Sequence, residues 1–176
     1  FADGKLDLVA IPANHDLRWY RWAGNDRLLL SLSKTVPWFD DEAEMTRLFV
    51  FDTRTSATML IGRRQGGLEG DDLLYVDPKG EWLLLSQQKS IYDYPSVFRV
   101  ALSGGEMQEI VKQRTDVWEW FADGDGVVRA GIGFSDTFWS MIYRKSGSEK
   151  FQRLGKAKYD DAEAAMDILR FARDSD

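Results

Sequence analysis

Cysteine is absent from the 176 residues, histidine occurs once, at His15, and proline only four times. Without cysteine there is no disulfide, no thiolate nucleophile and no Cys-based zinc site. That absence fits the cytoplasm and a disulfide-free periplasm equally, so it leaves localisation open between the two. One histidine needs a nucleophile elbow before it can serve a Ser-His-Asp triad. The nearest approach, Gly133-Phe-Ser135-Asp-Thr137, lacks the second glycine of Gly-x-Ser-x-Gly. No apolar run reaches the roughly 18 residues that span a bilayer, so no membrane partner is expected. Basic residues are outnumbered 23 to 29, for a net charge of -6. Phosphate backbones select clustered Lys and Arg, so nucleic acid is not an expected partner either. Phe1 is not a natural start and no signal-peptide pattern follows it, so the chain reads as a piece of something longer.

What is abundant is aromatic side chains, 13% of the chain with seven Trp. Their placement repeats. Trp22-Ala-Gly-Asn-Asp26 leads into Leu28-Leu-Leu-Ser31, and Val76-Asp-Pro-Lys-Gly80 leads into Leu83-Leu-Leu-Ser86. Phe121-Ala-Asp-Gly-Asp125 leads into Val127-Val-Arg-Ala-Gly131, and Phe171-Ala-Arg-Asp-Ser175 ends the chain. The anchors at 22, 76, 121 and 171 are 54, 45 and 50 residues apart. A third strand follows in each unit, at Arg47–Asp52, Val97–Leu102 and Phe138–Tyr143. Each ends at a turn, Asp52–Ser56, Ser103–Gly105 and Ser146–Ser148, whose Ser, Gly and Asp suit tight turns. A short fourth strand closes each unit at Thr58–Ile61, Met107–Val111 and Phe151–Leu154.

A unit of four antiparallel strands in about 50 residues has the length of a β-propeller blade. The expected fold is therefore all-β, a partial β-propeller of about three four-stranded antiparallel blades plus the start of a fourth. The blades lie near 17–65, 70–113 and 116–157, with the next beginning at 166–176 and residues 1–16 as a remnant of a preceding one. The whole of 1–176 is one propeller segment. A β-sandwich of hairpins is the alternative, but it gives no reason for the same turn and leucine phase to return. Asp160 to Leu169 carries an N-cap and helix formers, so a short helical approach is expected before the last strand. An arc of three blades leaves open blade edges, and self-association through them is one consequence.

The aromatic-Ala-(Gly/Asp)-(Asn/Gly)-Asp turn before Leu-Leu-Leu-Ser, together with Arg47-Leu-Phe-Val-Phe-Asp52, resembles the N-terminal propeller of prolyl oligopeptidase-family serine peptidases. "LLYVDPKGEWLLLSQ" and "YPSVFRVALSGGEMQEIV" are most similar to acylaminoacyl-peptidase and dipeptidyl-peptidase-like bacterial members. The resemblance covers nearly the whole chain. It implies a parent hydrolase in which this segment does no chemistry. The propeller would cap and gate an α/β-hydrolase domain of the same parent chain and restrict access to peptide substrates. The alternative is a stand-alone propeller that serves as a binding or scaffold module. No cofactor is implied.

Two acidic runs invite a metal, Asp40-Asp41-Glu42-Ala-Glu44 and Asp123-Gly-Asp125-Gly. Neither has the ligand spacing and late Glu of a calcium loop. A solvated loop explains the first and a hairpin turn the second, so no metal site is expected. In a four-stranded blade the connections between strands two and three share one face. Those connections read as Thr35–Glu44, Ser90–Pro95 and Ser135–Thr137. They gather Trp38, Phe39, Asp41, Glu42, Glu44, Tyr92, Asp93 and Tyr94 as candidate contacts for a substrate or partner. Aromatics beside acids suit a cationic peptide end. Dipeptidyl peptidases of the resembled family hold the substrate amine with a Glu pair. Asp41-Glu42 departs from that pattern, and the role is not carried over. Trp19, Tyr20, Trp22, Trp82, Trp118 and Trp120 read as packing between blades or lining the channel.

Overall fold

The computed structural model describes residues 8–135, 137–148, 150–158 and 171. Among them every regular element is a β-strand. The first sheet contains β1 (Asp16–Ala23), β2 (Arg27–Trp38), β3 (Asp41–Asp52) and β4 (Ala57–Leu60). The second contains β5 (Asp72–Val76), β6 (Trp82–Gln87), β7 (Ser96–Ala101) and β8 (Met107–Val111). The third contains β9 (Val117–Ala122), β10 (Val128–Ser135), β11 (Phe138–Tyr143) and β12 (Gln152–Lys158). Each sheet is a four-stranded antiparallel meander in sequence order. The protein is thus an all-β, partial propeller-like arrangement of three blades. The stretch 166–176, expected to begin a fourth, lies outside the described residues apart from Phe171. So does the helical approach at 160–169. Phe171 places its ring 5.6 Å from the guanidinium carbon of Arg129 in the third sheet.

The repeated turn has a physical cause. In the second blade Gly80 N–H donates to the Asp77 carbonyl at 2.8 Å, and Glu81 N–H donates to the Asp77 carboxylate at 3.1 Å. The third blade repeats the device. Gly126 N–H donates to the Asp123 carbonyl at 3.1 Å, and Asp125 and Val127 N–H groups donate to its carboxylate. Both glycines have left-handed φ, 70° and 74°. The Asp123-Gly-Asp125-Gly run is therefore turn chemistry, with Asp123 also paired to the buried Arg129 at 3.0 Å.

Leucine alternation decides how the sheets stack. Leu29 of β2 points toward the second sheet with Leu48, Val50 and Ile61 and meets Leu83, Leu85, Phe98 and Val100. Leu84, one residue out of phase, points the other way with Val97 and Val111 and meets Val117, Trp120 and Val128 of the third sheet. The middle sheet is thus covered on both faces, which is why its β6 reads as a continuous apolar run. Trp120 is 2% exposed, and its indole N–H donates to the Pro95 carbonyl at 2.9 Å. Trp19 and Trp82 also pack into the seams. Tyr20 and Trp22, by contrast, are 66% and 53% exposed, and Trp118 is 38% exposed. Tyr20 and Trp22 therefore take no part in the two seams between the described sheets, and Trp118 packs against Tyr94 and Phe134.

One connection differs in kind from its expectation. Thr35–Glu44 is not a loop: β2 and β3 stay paired from Arg27↔Asp52 out to Trp38↔Asp41. The alternation of Thr35, Val36 and Trp38 with Ala43 and Met45 sustains the ladder, and the chain reverses over Phe39 and Asp40 with Phe39 at φ 54°.

Candidate functional site

The long first hairpin leans over the connection face of the second blade, and between them lies a pocket of 260 Å³. Trp38 forms one wall and Trp118 of β9 another. Leu68 from the inter-blade linker, with Ile91 and Pro95 from the β6–β7 connection, completes the apolar lining. Its polar residues are Glu69, Asp72, Ser86, Gln87 and Gln88, so among the described residues the lining holds two carboxylates and no cation. Trp118 is buttressed by Tyr94, whose ring centroid is 4.8 Å away, and stacks toward Phe134 at 6.3 Å.

The acids come from the linker that carries the chain from the first blade into the second. Gly70 N–H donates to the Thr46 hydroxyl at 3.1 Å, which anchors the linker to β3. Asp71 then turns into the seam. Its carboxylate accepts from the Trp19 indole N–H at 3.1 Å, from the Ser31 hydroxyl at 2.5 Å and from the Thr46 hydroxyl. Asp72 starts β5 opposite Ser86 and is solvent-exposed. Surrounding protein mass pushes its carboxyl up to about 7, against the pull of a Ser86 hydrogen bond. The negative fields of Glu69, Asp71 and Glu119 add to the rise. Gln87 is 2% exposed; its amide N–H donates to the Gly70 carbonyl at 2.9 Å, while its Oε1 has no hydrogen-bond partner.

The residues singled out from the sequence separate into three groups. Trp38 and Tyr94 belong to the pocket, one as wall and one as the brace of Trp118. Tyr94 also donates its hydroxyl to Asp116 at 3.1 Å. Glu44 and Asp93 serve local structure. Glu44 pairs with Arg18 across the sheet, and that hydrogen bond holds its carboxyl below the usual range. Asp93 accepts from the Ser90 hydroxyl at 2.7 Å and from the Gln113 side chain at 3.3 Å, which lowers it likewise. Phe39, Asp41, Glu42 and Tyr92 remain on the surface, with Phe39 79% and Tyr92 83% exposed. Asp41 accepts from the Glu42 N–H at 2.8 Å. His15 sits just before β1 with Nδ1 3.1 Å from the Ala13 carbonyl oxygen.

Sequence reasoning passed over Glu69, Asp72 and Gln87, and it treated Trp118 as packing. One signal was present: Leu68-Glu-Gly-Asp-Asp72 sets three acids immediately before an apolar strand, at the join between two blades. Among the described residues no group of three or more His, Asp or Glu side chains is arranged to hold a metal ion. Two indole faces and two carboxylates favour a positive charge, by cation–π and Coulomb attraction together.

No protein-family model matches this chain, and no curated protein and no solved structure shows detectable similarity to it.

Proposed function

We propose that this chain is the non-catalytic propeller portion of a serine peptidase, capping and gating an α/β-hydrolase active site elsewhere in the parent chain. In this reading the Trp38–Trp118 pocket admits a peptide by its positively charged end. The observation that carries the reading is the pocket itself: 260 Å³, walled by two Trp, with Glu69 and Asp72 in its lining and no cation among the described lining residues. It sits on the connection face, where the strand-two to strand-three segments of adjacent blades meet. A substrate group of opposite charge supplies what the lining lacks. The resemblance to prolyl oligopeptidase-family propellers supports the identity of the missing partner domain, and the three-bladed arrangement is compatible with it.

Two experiments test this. In the intact parent chain, Glu69→Gln with Asp72→Asn should raise KM for free-amine peptides by at least about tenfold, while N-acetylated peptides are unaffected. Equal effects on both, or none on either, would contradict it. Reading the parent gene downstream tests the hydrolase. A Gly-x-Ser-x-Gly motif followed by Asp and His within about 250 residues supports the peptidase. Further blades and then a stop codon favour a stand-alone binding or scaffold propeller.

A further inference from the structure

The seam between the second and third sheets carries two of its residues, Val111 and Phe151, into the wall of a separate cavity of 380 Å³. That cavity shares no lining residue with the Trp38–Trp118 pocket, and its charge is of the opposite sign. Among the described residues its lining holds three cations, Lys112, Arg114 and Arg144, and no carboxylate. Such a concentration of positive charge stands out in a chain of net charge -6.

The cations come from two blades and are held in place. β8 ends at Val111, and the linker to β9 supplies Lys112 and Arg114. Gln113 between them pins that linker. Its backbone N–H donates to the Ser96 hydroxyl at 2.9 Å, and its side-chain amide donates to the Asp93 carboxylate at 3.3 Å. The Arg114 carbonyl accepts from the Val117 N–H at 3.1 Å. Arg144 follows β11 in the third sheet, and its Nε–H donates to the Val128 carbonyl at 2.6 Å. Both arginines meet on one ring: the guanidinium carbon of Arg114 lies 5.3 Å from the Phe151 centroid and that of Arg144 lies 4.7 Å from it. Trp120 packs edge-on against the same ring at 5.5 Å and fixes it. Cation–π contact with a fixed ring orients the two guanidiniums before any ligand arrives.

We propose that this cavity binds a small phosphate monoester. The donor set selects phosphate over carboxylate. A carboxylate offers two oxygens, which a single guanidinium fork satisfies. A phosphate monoester offers three terminal oxygens and about 1.5 to 2 negative charges at pH 7, which match two guanidiniums and an ammonium. Ile110 and the Phe151 ring give the organic part of the ligand an apolar surface. The volume of 380 Å³ lies in the range of small-molecule sites, roughly 300–1,000 Å³. The site needs no hydrolase domain, so this inference stands apart from the peptidase reading.

Phenyl phosphate and phthalate are titrated into the intact parent chain at fixed ionic strength and followed by backbone amide shifts. Both probes carry an aromatic ring and a double negative charge, so they differ in the geometry of their oxygens. Phenyl phosphate should bind at least about tenfold more tightly than phthalate and move the amides of Lys112, Arg114 and Arg144. Arg114→Gln should weaken it at least about tenfold, while Lys79→Gln, on a turn outside the cavity lining, leaves it unchanged. Lys112→Gln is the second variant should Arg114→Gln disturb the amide spectrum of the fold. Equal affinity for the two probes overturns the proposal, because it reduces the cavity to non-specific attraction of anions. A loss in the cavity variants no greater than that in Lys79→Gln overturns it too.

Discussion

Asp71 and Asp72 are neighbours in sequence and share the lining of one cavity with Trp19, Arg21 and Leu73, yet their carboxyl groups keep different company. Asp71 faces the seam between the first two sheets, where three donors from β1, β2 and β3 close on its carboxylate. Asp72 also lines the Trp38–Trp118 pocket with Glu69, where no described lining residue is a cation, while Arg21 shares its other cavity. One carboxylate is satisfied by the protein and serves as a rivet between blades. The other is pushed toward its neutral form by the surrounding protein and by neighbouring acids, while a Ser86 hydrogen bond pulls the opposite way. The lesson is that an acid's function follows from the groups that surround it.

The largest expected effect breaks the seam side at its most buried point. Trp120→Ala removes a side chain that is 2% exposed and bonded to the Pro95 carbonyl, and it should cost about 3–5 kcal/mol by urea denaturation. A loss under about 1 kcal/mol would show that the second seam does not hold the blades together. Asp71→Ala comes next. It strands the Trp19, Ser31 and Thr46 donors and should cost about 2–4 kcal/mol in the same assay.

Asp72→Asn should behave in the opposite sense. Its folded-state value of about 7 lies above the ordinary 3.8. The native state therefore holds a proton that the unfolded chain releases. Stability from this group is fully present below about pH 4 and declines as pH rises toward and through about 7. The asparagine variant should have a higher thermal midpoint than the parent at pH 8 and none of its decline between pH 5 and 8. An unchanged slope would mean that Asp72 titrates as an ordinary carboxyl. The smallest effect is expected from Glu44→Gln. Its ion pair with Arg18 is solvent-exposed, so the denaturation midpoint should not move measurably, and less so at high salt.

The blades were legible in the sequence because two local signals coincide. Turn residues at Asp77-Pro-Lys-Gly80 and Asp123-Gly-Asp-Gly126 demand left-handed φ, and β-branched and aromatic runs flank them. Each signal depends only on residues a few positions apart. The length of the first hairpin was not legible. Asp40-Asp41-Glu42 has the composition of a solvated loop, yet the apolar and hydroxyl residues facing it in β2 keep the ladder paired out to Trp38. The pocket was half legible. Trp38 and Tyr94 stood out as aromatics in connections that share a face. Glu69 and Asp72 did not, because their meeting with Trp118 depends on how the second and third sheets stack. That stacking is set by the parity of Leu84 against Leu83 and Leu85. Nothing in the local sequence said which groups would surround Asp71 and Asp72.

The proposal that the pocket receives a positively charged peptide end beside Asp72 is tested most directly by following the Asp72 side-chain carboxyl by carbon NMR as pH is raised. The titration is run with and without a free-amine peptide. The midpoint should lie near 7 in the protein alone and fall toward the ordinary carboxylate range when the peptide is present, while an N-acetylated peptide leaves it in place. A midpoint already in the ordinary range, unmoved by either peptide, would contradict the account.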